Sequence, residues 1–513
     1  MSKRRLRLLE PETLRLRAPA KLLGALRQLR ADVAADGENT LQRWQRPIAR
    51  HAFKLGAANL AHYLALRRRD LRDLQDQLTL LGLSSLGRLE ARVLPNLDAA
   101  IAALAPQAGE QAPFPSPRAF YRGGRLLERN SAELFGQREP RRRAIMVTLG
   151  TDAAEDADLI LDLARRGMDV ARINGAHDTA DLWARMVANV RRAGQLCGRD
   201  LRILFDLAGP ACRTGDVMLA DRGRLKPGDR LMLVGGPLSD DGSFPNQASC
   251  TLPEALHALA PGHGVWFDDG KLQGEVEEVR SEGALVRVLR TGPKGAKLKP
   301  EKGLIFPDTD LALDPLMPDD LAALDFAVGE VDMIGYSFVQ RPEDVACLQQ
   351  EMAARRADWR RLGLIAKVET RQAIHNLPEI IVQAARWQPF GVMIARGDLA
   401  VGIGFARLAE MQEELLWLCE AAHVPVVWAT EVLETLRKKG TFARGEMTDA
   451  AMAARAECVM LNKGPYVGEA IDVLQKLFAR MGEHQNKKTP RLRALHAWDR
   501  EGNRAADAKG SAP

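Results

Sequence analysis

Cysteine is scarce in this chain of 513 residues. The six present, Cys197, Cys212, Cys250, Cys347, Cys419 and Cys458, are scattered, with no pair at the short spacing of a metal-binding or redox motif. That pattern excludes a disulfide-framework protein and predicts single reduced thiols. Long apolar runs are missing too, so no segment can span a bilayer and no membrane partner is expected. The N-terminus is basic (Lys3, Arg4, Arg5, Arg7) but lacks the apolar stretch of a secretory signal, and Glu10 and Glu12 argue against an organelle transit peptide. The expected location is the cytoplasm. Aromatic residues make up only 5%, and no compact basic–aromatic patch occurs. The net charge of +6 and the sequence pI near 9.0 are read as the product of Arg-rich helices, with no nucleic acid partner.

What is present divides the chain. Residues 1–117 read as a helical region. Leu, Ala, Arg and Gln dominate, and Leu71, Leu74, Leu78 and Leu81 recur at helical spacing. Its end, Leu104–Pro117, is rich in Pro, Ala and Gly and reads as a linker, which residues 118–143 continue. From Ala144 short apolar runs alternate with amphipathic stretches such as Ala153–Arg166 and Phe405–Ala421. The runs are Ala144–Leu149, Val170–Asn174, Arg202–Asp206, Met333–Ser337, Leu364–Val368, Gly391–Ala395, Pro425–Ala429 and Cys458–Leu461. Eight strand–helix repeats predict an α/β fold, a (β/α)8 barrel over 144–214 and 303–485. Residues 215–302, rich in Gly, Pro, Val and Asp, interrupt the rhythm and read as an inserted small β-domain. Residues 486–513 read as a polar tail.

In such a barrel the active site lies at the C-terminal ends of the strands. Polar residues stand there in number: Arg172, Asn174 and His177; Asp206; Ser337; Lys367 and Glu369; Arg396, Gly397 and Asp398; Thr430 and Glu431; Asn462 and Lys463. Lys367 and Glu369 are two apart on one strand, so both point the same way. Glu369 and Asp398 can supply two oxygens to one hard cation, and Mg²⁺ is usually held by one or two carboxylates plus substrate oxygens. Arg172 and Lys367 then face an anion on that metal, which suits a phosphorylated acid. Gly397 lets the chain approach a ligand closely and turn its N–H groups toward a carboxylate.

These residues carry a family resemblance: the region Ala144–Met481 resembles pyruvate kinase. Met168-Asp169-Val170-Ala171-Arg172-Ile173-Asn174 with His177, Asp206 with Gly209-Pro210 and Arg213-Thr214-Gly215, Asp268-Asp269-Gly270, Lys302-Gly303, Ala366-Lys367-Val368-Glu369, Ala395-Arg396-Gly397-Asp398-Leu399 and Ala429-Thr430 all match, in order. The resemblance implies phosphoryl transfer from phosphoenolpyruvate to ADP, giving pyruvate and ATP. It implies Mg²⁺ or Mn²⁺ on Glu369 and Asp398, with Arg172 and Lys367 on the phosphoryl group. Thr430 falls on the proton path. Arg172, Ser337, Lys367, Ala395, Arg396, Gly397 and Thr430 fall around the substrate. Asn174, His177, Arg213, Asp269 and Lys302 fall on the nucleotide side, and the inserted domain becomes a lid.

The departures from the family matter as well. Its K⁺ site implies Asn174, Asp206 and the carbonyl of Leu207, but its Ser is Ala176 here, and its Lys-Gly-Pro-Glu reads Ala208-Gly209-Pro210-Ala211. K⁺ is therefore expected to bind weakly or not at all. Gly402, Glu431, Met452 and Asn462-Lys463-Gly464-Pro465 replace other family residues near the metal loops. The family's C-terminal allosteric domain finds no counterpart, so regulation by a sugar bisphosphate at the usual place is not expected. Homo-oligomers through the barrel or the N-terminal helices are a further expectation. The competing reading is a non-catalytic binder of phosphoenolpyruvate or nucleotide, against which the joint survival of Lys367, Glu369, Asp398 and Thr430 argues.

Overall fold

The computed structural model describes residues 17–44, 48–137, 143–220, 223–239, 243–268, 270–309 and 314–490. Eight parallel strands close into a barrel: Ala144–Thr148, Val170–Asn174, Arg202–Asp206, Met333–Tyr336, Gly363–Val368, Phe390–Ala395, Val426–Ala429 and Cys458–Leu461. They pair in chain order, and the last pairs with the first through Ala144↔Cys458. Strands covered on both faces must be apolar throughout, which is why these segments read as continuous runs rather than alternating ones. Met393, for example, faces the barrel interior, whereas Val392 and Ile394 face the surrounding helices. The helices between strands carry the expected end signals. Asp156 caps Ala157–Arg166 by accepting the Leu159 N–H at 2.8 Å, and Gly167, at φ +116°, ends it.

Between the third and fourth strands the chain leaves the barrel. It builds a sheet of seven strands, from Thr214–Met218 to Leu304–Ile305, around its own apolar core. The two crossings lie side by side, since the Thr214 N–H donates to the Lys302 carbonyl and the Leu304 N–H to the Cys212 carbonyl, both at 2.8 Å.

Helices Pro19–Arg43, His51–Arg67 and Val93–Leu104 pack together and against the barrel. The leucine repeat at 71–81 lies on helix Arg72–Leu80 and its flanks, with Leu78 fully buried. The expected linker 118–143 contains instead the helices Pro117–Phe120 and Arg122–Phe135. The second of these drives Leu134 and Phe135 into the cluster that fills the barrel interior. Room for Leu134 comes from Gly363 and Gly391, at or beside the starts of two strands; a Cβ there would lie 2.7 and 3.1 Å from its methyl carbons. The segment is structural because its apolar face is needed as the barrel floor. The expected tail also begins later than 486: helix Val467–His484 runs into a two-stranded turn, Gln485–Asn486 with Thr489–Pro490. Lys487 and Lys488 of that turn pair with Glu457 and Glu90. Residues 491–513 lie outside the described residues. Among the described residues no helix is long and apolar enough to cross a membrane.

Candidate active site

At the C-terminal ends of the second, third and fifth barrel strands, four charged side chains meet with little access to water. Lys367 Nζ lies 3.0 Å from Glu369 Oε1 and 3.4 Å from Asp206 Oδ2, and donates to Ser337 Oγ at 2.7 Å. Arg172 reaches the same Asp206 oxygen through Nε at 2.8 Å and Nη2 at 2.5 Å, while its Nη1 donates to Thr148 Oγ1 at 3.0 Å. Burial alone would push the Asp206 carboxyl up, but Arg172 and Lys367 beside it hold it below the usual carboxylate range. Burial acts downward on Lys367, and Asp206 and Glu369 more than restore its charge. Glu369 is pushed up to about 7, first by burial and then by the neighbouring Asp398, against the pull of Lys367. Its Oε2 accepts the Phe338 N–H at 2.5 Å.

A second group sits on the next two strand ends. Helix Arg396–Ile403 follows the sixth strand directly, and its Gly397 N–H donates to Thr430 Oγ1 at 2.9 Å. The Arg396 guanidinium grips Asp449 with two bonds of 2.5 and 2.9 Å, donates to the carbonyls of Ala429 and Thr430, and stacks 4.8 Å from the Trp428 ring. What Arg396 offers a ligand is therefore its main chain. The side chain anchors the loop to the barrel wall. Phe338 (φ +54°), Thr430 (φ +66°) and Glu431 (φ +56°) occupy the left-handed region, a strain that clusters where side chains must be aimed.

Beside Arg172 lies a cleft of about 300 Å³ lined by Thr148, Asn174, His177, Arg437 and Lys463. Arg213 and Lys302 stand together at the root of the inserted sheet: Arg213 Nη1 donates to the Glu301 carbonyl at 3.3 Å, and Lys302 pairs with Asp268 at 3.1 Å. Among the described residues no hydrogen bond or ion pair joins them to the barrel-rim group. Asp269 lies outside the described residues. In the expected monovalent-cation corner the Leu207 carbonyl accepts from Ser337 Oγ at 2.6 Å, and Asn174 Oδ1 faces the Ala176 N–H at 3.4 Å.

The donor set fits a divalent cation. Glu369 is held toward neutrality partly by the charge of Asp398, a repulsion that a shared cation would relieve. Among the described residues no group of three His, Cys, Asp or Glu could hold a metal, so an ion on these two carboxylates would draw its remaining oxygens from water or a ligand.

Asp449 was not foreseen from the sequence. An acidic residue on helix Arg444–Ala453 reads as solvated, and nothing local marks its pairing with Arg396 across 53 positions. The Phe338 N–H on Glu369 was missed for a similar reason, since main-chain donors leave no residue signature.

The family profile described as "Pyruvate kinase, barrel domain" matches residues 140–471. A pyruvate kinase of Methylorubrum extorquens is 32% identical over 344 residues, covering 66% of this chain and 68% of that protein. One of Thermococcus litoralis is 31% identical, covering 69% and 72%. One of Geobacillus stearothermophilus is 30% identical, covering 66% of this chain and 57% of its own length, so this chain spans little more than half of that relative. With eight closed strands, the residue pattern at their ends and these matches together, the chain belongs to the pyruvate kinase family.

Proposed function

We propose that the chain transfers the phosphoryl group of phosphoenolpyruvate to ADP, giving pyruvate and ATP. The observation that carries this reading is the buried convergence of two cations, Arg172 and Lys367, with Asp206 and Glu369, next to Asp398. Bound substrate would take phosphoryl oxygens to Lys367 and Arg172. Both are already charged and held in place, so they meet the charge developing in transfer without reorganising. Glu369 and Asp398 would hold Mg²⁺ or Mn²⁺, which supplies positive charge to the phosphoryl and enolate oxygens.

The loop helix at Arg396 would present the remaining N–H groups of its first turn to the substrate carboxylate, with Ala395 and Gly397 leaving room and the Gly397 N–H kept by Thr430. Thr430 Oγ1 accepts from Gly397, which leaves its own hydrogen to donate toward the carbon being protonated, through water. Ser337 positions Lys367. Asn174 and His177 line the cleft beside Arg172, which would take the nucleotide; Arg213 and Lys302 would reach it from the lid, whose closure would exclude water.

The test is pyruvate formation by the purified chain with phosphoenolpyruvate, ADP and Mg²⁺, with Lys367→Met alongside. The expected result is turnover in the wild type and a loss of about 10²–10³-fold in kcat for the variant. Absence of turnover in the wild type, with phosphoenolpyruvate still bound, would sink the proposal.

A further inference from the structure

Cys212 and Cys250 are 38 positions apart and carry no sequence signal as a pair, yet their Sγ atoms face each other at 3.1 Å in the lid core. We propose that Cys212 and Cys250 form a reversible disulfide, a modification site at the root of the lid that is written by peroxide.

The geometry is prepared on both sides of the pair. The Arg213 N–H donates to Thr251 Oγ1 and the Thr251 N–H to the Arg213 carbonyl, both at 2.9 Å. Thr214 is the ladder partner of Cys250. The two backbones are thus already fixed next to each other, and the sulfurs need to close by only about 1 Å to reach bonding distance. The Cys250 thiol also lies 3.2 Å from the Leu252 carbonyl, which orients it. The two residues are buried, at 8% and 5% exposure, which favours a small oxidant such as peroxide over a bulky one.

With hydrogen peroxide the chemistry balances. One thiol becomes a sulfenic acid and releases a water. The second thiol then attacks that sulfur, the S–S bond forms, and a second water leaves. The two thiols lose two electrons and two protons, and the peroxide is reduced. A dithiol reductant reverses it by exchange.

Cys212 is where the chain passes from barrel to lid, and its carbonyl also accepts from Leu304 on the return crossing. A bond to Cys250 fastens the entering strand to the lid interior. Bending between barrel and lid is then confined to the barrel side, around Gly209, whose φ of +68° already marks a turn. Arg213, the next residue, is held with it. The consequence for ADP rests on the phosphoryl transfer proposed above, whereas the disulfide itself does not.

The experiment treats the full native chain with hydrogen peroxide, alkylates it in denaturant, digests it and maps thiols by mass spectrometry. The expected result is that Cys212 and Cys250 escape alkylation together. A linked peptide containing Cys212 and Cys250 should appear, about 2 Da lighter than the sum of its parts, and vanish on reduction with dithiothreitol. Cys212→Ser and, separately, Cys250→Ala should each abolish the link and leave the remaining partner alkylatable. Separate, alkylatable Cys212 and Cys250 peptides in wild type whose half-buried Cys197 has been oxidised would overturn the proposal. In the assay of pyruvate formation, oxidation should raise the KM for ADP about threefold in the wild type and leave Cys212→Ser unchanged. A linked peptide with an unchanged KM would overturn the effect on the lid. A chain without turnover is still decided by the mass map.

Discussion

Arg396 and Lys367 are both buried cations at strand ends, and their surroundings separate their roles. Lys367 faces three groups that a ligand or metal could displace, whereas Arg396 is locked by a two-point ion pair and two carbonyls. Removing one member of a buried pair leaves the other charge uncompensated, a cost of about 3 kcal/mol. Asp449→Asn should therefore lower stability by that order and reduce kcat about 10- to 100-fold, because the Gly397 loop loses its anchor. If the Arg396 guanidinium instead bound substrate, freeing it would lower the KM for phosphoenolpyruvate with kcat retained, and steady-state kinetics tells these apart. The cation corner yields a second prediction. Ala176 removes a hydroxyl ligand, the Leu207 carbonyl already accepts from Ser337, and two cations neighbour Asp206, so another cation is poorly served there. Initial rates in buffers containing only K⁺, only Na⁺ or only tetramethylammonium should be comparable; strong, saturable activation by K⁺ would contradict this.

The N-terminal helices pack closely on the turn that precedes the seventh barrel strand. His423 sits in that turn at φ +55°, its Nε2 is 3.0 Å from the Ala91 carbonyl, and its own carbonyl accepts from Asn130 at 2.8 Å. Gly123 is required beside it, since a Cβ would lie 1.8 Å from the Ala91 oxygen and 2.5 Å from His423 Nε2. Burial holds the imidazole down to about 4. The unfolded chain binds this proton near pH 6.5 and the folded chain does not, so the contribution of His423 is complete above pH 6.5 and is lost as pH falls toward 4. The slope is on the order of 1 kcal/mol per pH unit. Thermal midpoints of wild type measured from pH 7 to pH 5 should fall more steeply than those of His423→Gln. Equal slopes would place the titration elsewhere.

These joints also show which parts of the structure the sequence could reveal. The eight strands were legible because a strand covered on both faces must be apolar along its whole length. The candidate site was legible because its polar groups stand directly after those runs. Helix Arg122–Phe135 was not, because its apolar residues follow a Pro-rich stretch and their partner, the barrel floor, is formed by strands from across the chain. The pairs Arg396–Asp449 and Cys212–Cys250 escaped for the same reason: each joins positions far apart in sequence.

At the scale of the molecule, Leu134 enters a floor built by strands from across the barrel, in contact range of positions 363 and 391. Leu134→Ala should therefore cost about 2–5 kcal/mol and lower the unfolding midpoint of the barrel, as measured by denaturant titration. A shift confined to the N-terminal helices would show that the floor is closed without it. The match to the family begins at residue 140, just after this helix ends. The stretch that resembles the family and the stretch that closes the barrel are consequently different: a barrel cut at the boundary of likeness would lack its own stopper, and transplanting it would require carrying the stopper along.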